Sequence, residues 1–248
     1  MWILATYNLK GGVGKTTASV NLSYAAAGYS NRVLVWDLDP QGAATYYFRI
    51  KPRVKGGARK ILKKKNRLDN SIKATNYPGL ELVPADFSNR NLDLLLSNMQ
   101  HSRHRLVRAL QPVIKDYDYI FLDCAPSISI TSENIFTVAD VLLIPLIPTF
   151  LSIRAYLQLK SYLEKHKEYD VSLMPFFSMV DKRKQLHREI LRNFYKEHPE
   201  VLRIYIPYSS EVEQMGHYCA PVQTYAGIST AAKSFNLLWY EIRRRLGR

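Results

Sequence analysis

Apolar runs of five or six residues recur along the chain, separated by stretches long enough to hold a helix. Residues 2–7 (WILATY) read as a first strand, and 16–27, with Val20, Leu22, Tyr24 and several alanines, as a helix ended by Gly28. Residues 32–37 (RVLVWD) are almost continuously hydrophobic, the pattern of a parallel strand buried on both faces. Further strands are predicted at 80–84, 119–123 (YIFLD), 141–147, 172–180 and 202–206. Helices are predicted from 91, over 102–114, and at 151–166, 184–197 and 230–246. Strand and helix alternate throughout, which predicts an α/β fold, a mostly parallel twisted β-sheet flanked by helices on both faces. No repeat or linker divides the chain, so residues 1–248 read as a single domain.

One segment breaks the rhythm. Between residues 49 and 73 there are eleven lysines and arginines against the single acid Asp69, with little apolar periodicity beyond Ile61-Leu62. This reads as a basic insertion on the surface, with one short helix or none. It carries much of the formal net charge of +14, which favours a polyanionic partner over a merely soluble basic surface. Cys124 and Cys219 are the only cysteines and have no paired spacing, so neither a disulfide framework nor a thiolate metal site is indicated. No apolar run is long enough to span a bilayer, and Met1 leads straight into the first strand without a signal peptide. A cytoplasmic location is expected.

Chemistry enters between the first strand and first helix, at residues 8–17 (NLKGGVGKTT). Gly11, Gly12 and Gly14 let backbone N–H groups close around phosphate oxygens, and the following helix turns its positive end toward them. Val13, Lys15, Thr16 and Thr17 complete the loop. Lys15 is placed for the β- and γ-phosphates and the Thr16 hydroxyl for Mg²⁺, so a nucleoside triphosphate with Mg²⁺ is the expected ligand pair. The run 119–123 ends four apolar residues in Asp123, a second carboxylate that a buried strand would bring beside Thr16 to hold the metal. Phosphoryl transfer also needs cationic charge at the γ-phosphate beyond Lys15 and the metal, and Lys10 is the candidate.

The ordinary phosphate-loop pattern has glycine where this chain has Leu9. With Lys10 present, KGGVGKTT resembles the deviant loop of the ParA/MinD family of ATPases. The resemblance runs from Tyr7 to about Ile242, strongly through Pro148, and is greatest to the small Soj-like members. It implies that Lys10 crosses to the phosphates of a second subunit in an ATP-dependent homodimer. It also implies that Asp39, within Asp37-Leu38-Asp39-Pro40-Gln41-Gly42, positions the attacking water, while Asp37 supports the metal or the loop. Each aspartate has the alternative of a turn former before Pro40. Cys124-Ala125-Pro126-Ser127 resembles the family's second switch, with Ala125 departing from its usual proline, and Cys124 reads as a small buried filler. Met179 and Pro207 match the places where the family frames the adenine. Tyr208 and Glu211 stand where the family often has basic residues.

A nonspecific surface for double-stranded DNA needs clustered cations and few base-reading side chains. Three groups offer it: the 49–73 stretch; Lys182, Arg183, Lys184, Arg188 and Arg192; and Lys233 with Arg243, Arg244 and Arg245. The last two are expected to be neighbours. The resemblance then implies a nucleoid-associated positioning ATPase whose hydrolysis is stimulated by a ParB-like or cargo-bound adaptor protein. One alternative is a MinD-like membrane switch, with residues 235–246 as an amphipathic anchor, although Phe235, Leu238, Trp239 and Ile242 also suit a core-facing helix. Others are a metabolic enzyme on the same fold, or a nucleotide-gated DNA-binding module without hydrolysis.

Overall fold

The computed structural model describes residues 1–54, 57–63 and 67–247, so residues 55–56 and 64–66 of the basic insertion lie outside the described residues. The strands are β1 (Trp2–Thr6), β2 (Val33–Asp37), β3 (Lys73–Ala74), β4 (Leu80–Val83), β5 (Tyr119–Asp123), β6 (Val141–Leu146) and β7 (Ser172–Phe177). They form one sheet in the order β3-β4-β2-β5-β1-β6-β7, with β3 antiparallel to β4 and the other pairs parallel. The helices, in chain order, are α1 (Lys15–Ala27), α2 (Ala43–Tyr47), α3 (Gly57–Leu62), α4 (Leu92–Ser97), α5 (Arg105–Leu110), α6 (Ile130–Val138), α7 (Phe150–Lys165) and α8 (Gln185–Glu197). Three short turns, α9 (Ser210–Glu213), α10 (Met215–Tyr218) and α11 (Val222–Tyr225), lead to α12 (Thr230–Arg245).

Alternation along each strand feeds two cores, because successive side chains leave opposite faces of the sheet. Ile3, Ala5, Ile120 and Leu122 face Phe136 of α6, Tyr156 and Leu159 of α7, and Phe194 of α8. Leu4, Val33, Val35 and Phe121 face Val20 and Leu22 of α1 and the stripe Phe235, Leu238, Trp239 and Ile242 of α12. Trp239 makes an edge-on contact with Tyr119 at 4.8 Å and packs on Phe121 at 5.8 Å between ring centroids. The α12 stripe is therefore spent on the core, as a docking helix requires.

Three expectations need correction. Residues 202–206 form no strand: they run beside β7 through Leu202 N–H to the Pro175 carbonyl and Ile206 N–H to that of Phe177, with one bridge from Val180 to Pro207. The helix expected over 102–114 is broken, and only Arg105–Leu110 is α-helical. Gly28 does end α1, as expected, in a right-handed conformation, and the left-handed residue beyond it is Ser30. The basic stretch is anchored as well as exposed, since Val54, Ile61, Leu62 and Leu68 are buried in the α4–α5 side of the core.

Trp239→Ala removes the largest fully buried side chain and is expected to cost about 3–5 kcal/mol in urea unfolding. Tyr240→Ala, at a half-exposed neighbour, is the control and stays within about 0.5 kcal/mol. Equal midpoints for the two variants would show that α12 contributes little to the core.

Candidate nucleotide-binding site

Strand register assembles the site. Thr6 on β1 and Asp37 on β2 both stand opposite Asp123 on β5, so three polar residues meet at the carboxyl ends of adjacent strands. This is where open parallel sheets bind ligands.

The loop after β1 is pinned before it turns. Buried Asn8 donates from Nδ2 to the Pro145 carbonyl at 2.8 Å, and its Oδ1 accepts from Lys10 N–H at 2.9 Å. Gly12 (φ 72°) and Gly14 (φ 93°) are left-handed, and a Cβ on Gly14 would come within 3.0 Å of Ser178 Oγ. Only glycine meets both conditions at position 14. The helix α1 then begins at Lys15 with no side-chain cap on its N-terminus. Its first N–H groups lack intrahelical partners, and the chain leaves them to an anion. Lys15 is buried, and its ammonium donates to the Lys10 carbonyl at 3.3 Å. Burial pulls its pKa down, against the pull of Asp123 in the other direction. Thr16, Thr17 and Lys10 remain half-buried at the mouth.

Asp123 is fully buried. Its Oδ1 accepts from Ser19 Oγ at 3.0 Å and from Thr6 Oγ1 at 3.3 Å, while Oδ2 has no partner. A buried carboxylate oxygen left bare costs free energy, and a divalent cation beside Thr16 would satisfy it. The residues present therefore fit Mg²⁺. Asp37 differs: Oδ2 accepts from the Thr45 N–H at 2.8 Å and hydroxyl at 2.7 Å, and Oδ1 from Asp39 N–H at 3.2 Å. Both its oxygens hold the loop that carries Asp39. Asp39 is half-buried, with Oδ1 accepting from Gln41 N–H at 2.9 Å. Burial first, and then the other's charge, raises Asp123 well above the ordinary carboxylate range; burial raises Asp37 against its bonds to Thr45.

The two segments matched to adenine are neighbours. Val180 N–H donates to the Ile206 carbonyl and Tyr208 N–H to that of Val180, which sets half-buried Met179 beside Pro207. Met179 is left-handed (φ 56°), and its methyl would sit 3.8 Å from a Cβ on Gly14, so this segment abuts the phosphate loop. On the other side, Tyr7 donates to the Ser127 carbonyl, tying β1 to the switch-like segment, and Cys124 is buried filler whose thiol burial pushes up.

The expected DNA residues are not one cluster. The buried residues of α8 belong to one core and those of α12 to the other, so the two helices lie on opposite faces of the sheet. Lys184, Arg192, Lys233 and Arg244 are exposed. Arg183 is ion-paired with Asp181 at 2.9 Å, Arg188 donates to the Lys182 and Arg183 carbonyls, Lys182 lies over Tyr205 and Arg243 over Tyr29. Asn8, Ser19 and Thr45 are site residues that sequence reasoning missed. The spacing from Asp37 to Thr45 crosses a turn, and that contact has no periodic signature.

The buried carboxylates give a pH signature. A folded-state pKa raised above the unfolded value means that stability is fully present below the ordinary carboxylate range and is lost as pH rises above it. Nucleotide-free protein should lose stability from pH 5 to pH 8, at up to about 1.4 kcal/mol per pH unit for each proton held back. Asp123→Asn should flatten that slope in urea unfolding, and an unchanged slope would remove Asp123 as its source.

Residues 1–174 match the AAA domain family. Over 239 residues the chain is 31% identical to the sporulation initiation inhibitor protein Soj of Bacillus subtilis, covering 94% of each chain. It is 28% identical to the chromosome partitioning protein ParA of Myxococcus xanthus, over 98% of this chain and 88% of the relative. A plasmid partition protein of Borrelia burgdorferi, solved with AMPPNP, superposes with a TM-score of 0.85 at 20% identity, covering 98% and 99% of the two chains. The cobyrinic acid a,c-diamide synthase of Mycobacterium smegmatis, solved with ADP and magnesium, does so with a TM-score of 0.83 at 24% identity, covering 100% and 97%. At such identities these two structures speak for the fold alone. The loop with its two lysines, the carboxylates abreast behind it and the full-length match to Soj lead to one conclusion: the chain belongs to the ParA/MinD family of P-loop ATPases, among its Soj-like members.

Proposed function

We propose that the protein is a slow, switch-type ATPase that dimerises on ATP and Mg²⁺, binds duplex DNA without sequence preference, and positions a cargo until a partner protein stimulates hydrolysis. The observation that carries this reading is the division of labour between two lysines. Lys15 is turned into the loop it belongs to, whereas the Lys10 side chain stands half-buried at the mouth with no hydrogen-bond or ion-pair partner among the described residues. A cation held there without a counterion suits a phosphate that arrives with a second subunit.

In this reading Gly11 to Thr17 hold the triphosphate, Met179 and Pro207 flank the base, and Thr16 and Asp123 hold Mg²⁺, with Asp37 keeping the Asp39 loop in place. When bound, the metal neutralises charge on the β- and γ-oxygens. Asp39 orients a water for in-line attack and takes its proton as the bond from the γ-phosphorus to the bridging oxygen breaks. The exposed cations of α8 and α12 supply candidate phosphate contacts for DNA on two faces of each subunit. The apolar stripe of α12 is spent on the core, leaving Leu237 and Tyr240 as its exposed large apolar residues, and no described helix is long and apolar enough to cross a membrane. The likeness to a synthase extends to the fold, which supports no amide-forming chemistry here.

Lys10→Ala should retain ATP binding by the monomer and lose both the ATP dimer and hydrolysis, read by light scattering and phosphate release; a wild-type dimer fraction would refute a role across the interface. Asp39→Ala should accumulate an ATP dimer with turnover reduced at least about a hundredfold, and wild-type turnover would take Asp39 out of the mechanism. Binding to random duplex and to anionic liposomes, each with ATP, ADP or no nucleotide, checks the partner. ATP-dependent duplex binding alone is expected, and liposome binding alone would overturn it.

A further inference from the structure

At the opposite edge of the sheet from β7, a concavity of about 680 Å³ lies between the basic insertion and β3. Strands β4, β2 and β5 separate β3 from β1. At the usual strand spacing that places it about 19 Å across the sheet from the strand that carries the phosphate loop. Lys51, Arg53 and Lys73 line it together with Asn70, Ser71 and Ile50, and no carboxylate is among its lining residues. All three cations are exposed, and none has an ion pair or hydrogen bond among the described residues. Asp69, next to Asn70 in the chain, is already paired with Arg67 at 3.0 Å, and Glu81, opposite Ala74 across the sheet edge, accepts from the Tyr117 hydroxyl at 2.6 Å.

A second observation is independent of charge. Ser71 is 3% exposed, and its hydroxyl is buried with no hydrogen-bond partner among the described residues. Leaving such a group unsatisfied costs about 1–3 kcal/mol. Like charges gathered around a concavity add a further cost, which a solvated flat face would avoid by spreading them. An oxyanion seated among the cations neutralises the charge and, once the Ser71 side chain turns into the concavity that residue lines, accepts from its hydroxyl. The volume falls within the roughly 300–1,000 Å³ usual for small-molecule sites, so it exceeds what one chloride or carboxylate fills.

We propose that this concavity binds phosphate groups, at a site separate from the phosphate loop. Two sources present that chemistry, the backbone of duplex DNA and a free di- or triphosphate. The site also touches the machinery: Pro52, next to both Lys51 and Arg53, lies 3.9 Å from where a Cβ on Gly42 would stand, at the end of the Asp39 loop.

The test uses the full-length chain. Equilibrium dialysis with radiolabelled pyrophosphate should find two sites per chain in the wild type and one in Lys51→Gln/Arg53→Gln/Lys73→Gln, whose thermal midpoint is checked to confirm folding. Ser71→Ala should weaken the second site about tenfold, the loss of a hydrogen bond to a charged group. In parallel, duplex affinity with ATP is measured against salt. If the backbone is the occupant, the triple variant lowers the log–log slope by about 2.7, three contacts at about 0.9 each. Loss of the second pyrophosphate site with an unchanged slope assigns a free phosphate compound, and a lowered slope assigns DNA; either supports the site. The same stoichiometry and the same slope in wild type and triple variant would overturn it. Losses in the triple variant with Ser71→Ala indifferent in both arms would show a diffuse basic surface and overturn it too. If the wild type binds no duplex, the DNA-bound switch fails, while the pyrophosphate arm still decides this site.

Discussion

Two carboxylates buried side by side are the constraint on which the rest of this molecule depends. Asp37 and Asp123 end adjacent strands in register, and neither has any exposed surface. Burying a pair of like charges is expensive unless protons, hydrogen bonds or a cation offset it. The chain supplies partial remedies. Thr45 and the Asp39 amide take both oxygens of Asp37, and Ser19 and Thr6 take one oxygen of Asp123. The last oxygen of Asp123 is left bare beside Thr16 and near Lys15. An arrangement that is costly when empty is one that a metal–nucleotide complex stabilises on arrival, and this ties nucleotide state to the stiffness of the strand ends.

That stiffness has routes outward. Thr45, which holds Asp37, also accepts from Ala85 N–H at 2.8 Å, and Tyr46 of the same helix reaches the Gly216 carbonyl at 3.1 Å. From α1, Asn21 accepts from Val222 N–H at 2.8 Å. The 207–226 segment, which begins at Pro207, is thus tied to both helices that flank the phosphate site. A change at the Asp39 loop has a short path of hydrogen bonds to the surface between α9 and α12.

Much of this was legible in the sequence because it is local and periodic. The apolar runs other than 202–206, the glycine loop and a carboxylate at the end of YIFLD are each signalled by contiguous residues and appear in place. Residues 202–206 were misread as a strand because an apolar run beside a sheet edge looks the same whether or not it completes a ladder. The two basic helices were expected together because charge says nothing about which face of the sheet a helix covers. Asn8 and Thr45 escaped notice for another reason: their partners are carbonyls and carboxylates fixed only by tertiary structure. The basic stretch concealed its anchoring, since Val54, Ile61 and Leu68 stand seven residues apart among lysines and arginines, with only Leu62 adding to them an apolar neighbour.

The outer strand β3 has a consequence for the life of the protein in a crowded cell. The strands at the phosphate site, β1, β2 and β5, are each paired on both sides, but distant β3 offers a free edge among the described residues, the usual template for adding a foreign strand. Here that edge is two residues long, runs against its neighbour and carries exposed Lys73. An invading strand would find one short rung and a positive charge to bury. The lysine that lines the basic concavity thus also guards the sheet against growing into an aggregate.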